Sequence, residues 1–97
     1  MTTYIIMDLA PLDPVKMKEY LEGANTSVKL YGGNLLAASG DLTSLEGNWN
    51  PERIAIVVFP SLEKAKGWYH SNEYQAVLPL RLKESSRDSM VVVPGQS

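Results

Sequence analysis

His70 is the single histidine of the chain. It follows Trp68 and Tyr69 at the expected end of a helix, where the helix dipole favours a cation. An imidazole in that position could act as a general acid or base near neutral pH. It could equally be an exposed last-turn residue with a structural hydrogen bond. Asp8 is a lone charge within the apolar run 4–9. Buried, it would need a cationic partner such as Arg53 or Arg81, or it would keep its proton. The catalytic reading makes it a base in a cleft between sheet and helices. The structural reading makes it a strand end near solvent.

Trp49 and Arg53 flank the turn before an apolar strand. An aromatic ring and a guanidinium there could hold a carboxylated aromatic ligand, or the segment could be an arm that packs on a neighbouring subunit. Tyr31, Trp68 and Tyr69 could line a ligand box. Their helical spacing also suits a core, in which the hydroxyl and indole donors would still need partners. Other chemistries find little support. One histidine and scattered carboxylates make no recognisable metal cluster, so no metal and no cofactor is expected. Gly32-Gly33 is a helix stop and not a phosphate loop. No serine sits on a nucleophile elbow.

Composition narrows the classes further. Ninety-seven residues suit one domain spanning residues 1–97. A chain of that size keeps much of its surface wet, so self-association would add useful burial. The net charge of −2 carries no basic stripe, which argues against nucleic acid and against a polybasic membrane face. No apolar run approaches the ~20 residues of a membrane span, and the N-terminal run is too short for a signal peptide. The absence of cysteine removes disulfides and thiolate chemistry and points to a reducing, cytoplasmic setting.

The elements that must position these groups follow from pattern. Residues 4–9 read as a strand. Asp13 and Pro14 give an N-cap and a proline at the first helical position. Met17, Tyr20, Leu21, Ala24, Val28 and Tyr31 then share one helix face, in a helix of about 18 residues, and Gly32-Gly33 ends it. Gly23 and residues 25–27 are weak helix formers, which allows a kink. Residues 34–39 form a weaker strand, with 43–46 a short extension. Residues 47–51 are loop by composition, and 53–59 form the most apolar strand. Pro60 stops that strand, and Ser61 caps a second helix whose buried stripe is Leu62, Ala65, Trp68 and Tyr69. Ser71 opens a new cap. Tyr74, Val77, Leu78 and Leu82 continue the stripe, and Pro79 should kink or divide it. Residues 89–93 are the last strand, with 94–97 a tail.

The order β-α-β-β-α-β is that of a ferredoxin-like α+β fold, with a four-stranded antiparallel sheet and its helices on one face. Such strands should alternate apolar and polar residues. These do not: Ile54, Ile56 and Val58 point one way, and Ala55, Val57 and Phe59 the other. The first and last strands repeat the pattern. A second copy of the same sheet is the natural cover. Burying about four or five more medium-sized side chains would contribute roughly 6–15 kcal/mol per subunit before association costs.

Tyr31-Gly32-Gly33, residues 45–53 (LEGNWNPER), 59–63 (FPSLE) and 68–75 (WYHSNEYQ) resemble a bacterial family, domain of unknown function family 1330. The similarity spans nearly the whole chain. It departs from the family pattern at Asn72, where proline is expected, at Pro79, where a helix former is usual, and across 22–28, which is more polar and less basic. The resemblance implies a dimeric α/β barrel, in which two ferredoxin-like subunits close their sheets face to face. The wider superfamily includes cofactorless monooxygenases, small-ring isomerases, haem enzymes and stress proteins, so fold alone does not name a reaction. The family brings no catalytic residues to transfer.

Two functional expectations follow. The first is a homodimer of unknown cellular role that holds a small apolar or aromatic molecule between sheet and helices, with Trp49, Arg53, Tyr31 and Trp68 as candidate ligand contacts. The second is a cofactor-independent enzyme on a small organic acid or aromatic compound, with His70 as acid/base and Asp8 or Arg53 orienting. The second requires His70, Asp8 and Arg53 to meet in one cleft. A regulatory or stress-associated interaction module is a third possibility, and it would need an exposed apolar patch beyond the dimer face.

Overall fold

The computed structural model describes residues 2–10, 13–82 and 88–96. Pro11, Ser97 and the side chain of Leu82 lie outside the described residues. The elements are β1 (Thr3–Asp8), α1 (Pro14–Leu30), β2 (Asn34–Ser39), β3 (Ile54–Phe59), α2 (Leu62–Tyr69), α3 (Asn72–Gln75), α4 (Leu78–Leu82) and β4 (Ser89–Pro94). The four strands form one sheet in the order β2-β3-β1-β4, and all three pairings are antiparallel. This is the ferredoxin-like topology.

Local chemistry sets the boundaries. The Asp13 carboxylate accepts from the backbone N–H groups of Val15 (3.0 Å) and Lys16 (3.1 Å), so α1 starts where the sequence suggests. Gly32 closes it with a φ of +78°, which a side chain would resist. Despite Gly23 and the polar residues after it, α1 is continuous. Ser61 Oγ accepts from Lys64 N, and Ser71 Oγ accepts from Tyr74 N, each at 3.1 Å. Those two caps make α2 and α3 separate helices. Pro79 falls in the first turn of α4, where its missing N–H has no intrahelical partner to lose, so it divides the run and does not bend it. Two expectations need correction. Residues 43–46 extend no strand and lie exposed in the β2–β3 connection. Leu62 is 42% exposed, because it sits at the start of α2, before the helix settles onto the sheet.

The helices cover one face of the sheet. Thr3, Ile5 and Met7 of β1 face them beside Phe59, Val57 and Ala55 of β3, and all six are buried. Tyr20, Ala24 and Val28 of α1, Ala65 and Trp68 of α2, and Tyr74 close the core from above. The opposite face carries Tyr4, Ile6, Ile54, Ile56 and Val58, all half-buried. Register adds Val91 and Val93 of β4, opposite Ile6 and Tyr4. Val91 is 52% exposed, so a broad apolar surface remains uncovered within one chain.

Candidate functional site

Trp68 is a core residue. It has 0% exposure and lies among Phe59 (ring centroids 5.5 Å), Tyr74 (4.2 Å) and Tyr69 (6.3 Å). Its indole N–H donates to Ser27 Oγ at 2.8 Å, and Ser27 Oγ donates to the Ala24 carbonyl at 2.7 Å. The donor is satisfied and the ring has no free face for a ligand. Tyr31 is also architectural. It caps α1, lies against Gly67, and its hydroxyl donates to Glu73 Oε1 at 3.4 Å, which ties the end of α1 to α3.

His70 caps the C-terminal end of α2, with its backbone N–H bonded to the Lys66 carbonyl at 3.0 Å. The imidazole meets the Tyr69 ring edge to face, with centroids 5.2 Å apart. Both rings border an open groove of about 250 Å³ between α2 and the β1–β4 side of the sheet. Ile5, Met90 and Val92 of the sheet form its floor, Ala65 of α2 its wall, and Lys66 joins its rim. Among the described residues the groove therefore has an apolar floor, two nitrogen-bearing side chains and no carboxylate. That arrangement suits a small molecule with an apolar body and an anionic or polar end.

Arg53 stands elsewhere. It borders a narrow cleft of about 30 Å³ between α1 and the β2–β3 side of the sheet, beside Met7, Tyr20, Asn25 and Ala55. That space has room for a water molecule and nothing larger. Its Nε is buried without a hydrogen-bond partner among the described residues, and its carbonyl accepts from Leu9 N at 2.9 Å. Asp8 is on the other side of the sheet: strand alternation turns it to the open face with Tyr4 and Ile6. There its carboxylate accepts from the Trp49 indole N–H at 3.0 Å. Of the two placements read for Asp8, the structure has the strand end and not the cleft between sheet and helices, and the carboxylate pairs with an indole in place of Arg53 or Arg81. Among the described residues His70, Arg53 and Asp8 line three separate hollows, so the orienting partners required of His70 are not at its groove.

One polar cluster was not foreseen. Tyr20 and Tyr74 hydroxyls lie 2.8 Å apart in the core, and Tyr20 also approaches Met7 Sδ at 3.9 Å. Arg81 is buried nearby and pairs with Asp88 at 3.4 Å. Asp88 in turn accepts from Ala10 N at 2.8 Å, linking α4, β1 and the start of β4. Burial, and then the neighbouring Tyr74, holds the Tyr20 hydroxyl far above its ordinary value of 10.0. Burial also raises Tyr74, while Tyr20's hydrogen bond and Arg81 pull it back in part. The available signal was that two tyrosines on buried stripes must pair their hydroxyls. Among the described residues no three His, Cys, Asp or Glu side chains gather as a metal site, and no helix is long and apolar enough to cross a membrane.

The family model for a domain of unknown function, DUF1330, matches residues 2–96. The chain belongs to the DUF1330 family. No curated protein matches it in sequence. Among solved structures, a protein of unknown function from Rhodopseudomonas palustris superposes on this DUF1330 chain with a TM-score of 0.75 at 12% identity, covering 99% of this chain and 83% of that one. A dimeric ferredoxin-like protein of unknown function from Thermobifida fusca gives 0.62 at 14% identity, over 96% and 90%. SnoaB, a cofactor-independent oxygenase from Streptomyces nogalater, gives 0.64 at 8% identity, over 99% and 93%. At these identities the likeness is one of fold, and it brings no reaction to the DUF1330 chain.

Proposed function

We propose that this DUF1330 protein is a cytoplasmic homodimer that holds a small apolar or aromatic molecule, of the carboxylic acid class, in the groove beside His70. The observation that carries the reading is the groove itself: an apolar floor of Ile5, Met90 and Val92 beneath Lys66, Tyr69 and His70. The apolar body of the ligand would cover the floor, and its carboxylate would meet the Lys66 ammonium and accept from a ring N–H of His70. The homodimer is supported by the uncovered face with Val91 and Val93, and by structural neighbours that are dimeric ferredoxin-like proteins. A chain without cysteine suits a reducing compartment.

A thermal-shift screen of aliphatic and aromatic monocarboxylates tests the ligand. A binder at ~100 times its dissociation constant should add roughly 2.7 kcal/mol to stability. Lys66→Ala and His70→Ala should each weaken the response, and both residues are exposed, so both variants should fold. A flat response across the screen, or binding that ignores both substitutions, would refute the site.

A further inference from the structure

We propose that the long connection between β2 and β3 is an arm that docks on a second copy of the chain. This rests on the homodimer reading and names the part of the chain that makes the grip. Antiparallel neighbours are usually joined by two to five residues, and loops beyond about 12 tend to be functional. Here the chain leaves β2 at Ser39 and re-enters the sheet at Ile54. The segment between is closed at its base, since a side-chain carbon on Gly40 would meet the Glu52 carbonyl at 3.1 Å. Gly47 turns its tip with a φ of +87°.

The arm leaves apolar groups open to solvent among the described residues. Leu45 is 92% exposed and Trp49 62%, and Leu42 is exposed as well. With Pro51 these residues border a hollow of about 340 Å³. Scattered exposed leucines need no explanation, but an exposed leucine–tryptophan group around a hollow marks an interaction surface. The occupant follows from how the arm is fastened. Trp49 is held by Asp8 at 3.0 Å, and Asp8 belongs to the open face of β1, with Tyr4 and Ile6. The anchor therefore sets the arm at the rim of the face that a second sheet covers. The arm surface and the sheet surface are continuous, and a two-fold partner would receive both, with its own arm returned in the same way. Asp8 acquires a role here: it positions the arm through Trp49.

The two tryptophans make the test direct. Trp68 is buried and Trp49 exposed, so a collisional quencher such as acrylamide reports Trp49. Quenching is measured over a dilution series of the whole protein, with light scattering on the same samples. The expected result is that Trp49 becomes protected as dimer forms, and that Leu45→Ser raises the dimer dissociation constant at least tenfold with an unchanged circular dichroism spectrum. A wild-type chain that stays monomeric removes the homodimer reading and this inference with it. A wild-type dimer whose Trp49 quenches equally at every concentration, or whose Leu45→Ser variant dimerises normally, removes the arm alone. Protection of Trp49 in a monomeric sample would place the arm on its own chain and also overturn the proposal.

Discussion

Replacing Ser27 by alanine should destabilise the protein, although alanine is the better helix former. Ser27 is fully buried in α1 and is the hydrogen-bond acceptor of the Trp68 indole at 2.8 Å. Removing its oxygen leaves that N–H unpaired in the buried core, which costs about 1–3 kcal/mol. The Ala24 carbonyl that loses the Ser27 hydroxyl sits within α1 and loses little. Helix propensity returns about half a kcal/mol at most. The net loss should be about 0.5–2.5 kcal/mol, or roughly 2–20 °C in melting temperature for a chain of this length. Thermal melts at one fixed protein concentration keep any association term constant. Trp68→Phe provides the control, because phenylalanine has no donor to orphan: in that background Ser27→Ala should cost clearly less. An unchanged melting temperature, or the same loss in both backgrounds, would refute the assignment of Trp68 as a hydrogen-bonded core residue.

Two further outcomes follow from the same packing. A methyl group at Gly23 would overlap Val77 Cγ1, and valine is stiff at χ1. Gly23→Ala should therefore lose about 1–2 kcal/mol in urea unfolding where an unobstructed helix site would gain about 1, and Val77→Ala should recover much of the difference. The Tyr20 and Tyr74 hydroxyls are both raised by burial, so folding holds them neutral where the unfolded chain would ionise. Their contribution is fully present below the unfolded value of about 10 and declines as pH rises beyond it. Alkaline unfolding should set in above pH ~10, and Tyr20→Phe should flatten that limb of the pH profile while leaving the neutral region's slope unchanged.

How much of this was legible depended on whether a residue's environment is local. The caps at Asp13, Ser61 and Ser71 act within three residues, and the structure shows all three. The two-sided apolar strands were legible because period-two alternation is geometry, and Ile54, Ile56 and Val58 do share one face. Asp8 shows where such reading stops. Alternation puts it on the face opposite Ile5 and Met7, but its partner comes from Trp49, far along the chain. The Tyr20–Tyr74 and Arg81–Asp88 contacts are likewise set by tertiary packing, which no spacing rule contains. Among the site candidates, sequence neighbours proved spatially divided. Trp68 turns into the core and His70, two residues later, turns to the groove, because the helix ends between them.

The account depends most on what covers the open face of the sheet. Multi-angle light scattering on the untagged protein at tens of micromolar, beside an Ile56→Asp variant, addresses it directly. Ile56 lies at the middle of β3 on that face, and a charge there would be stranded between two sheets but tolerated in a solvated monomer. The predicted result is a wild-type mass twice the 10.7 kDa of one chain, with the folded variant at one chain. A wild-type mass of one chain, or a variant that dimerises as well as the wild type, would contradict the account.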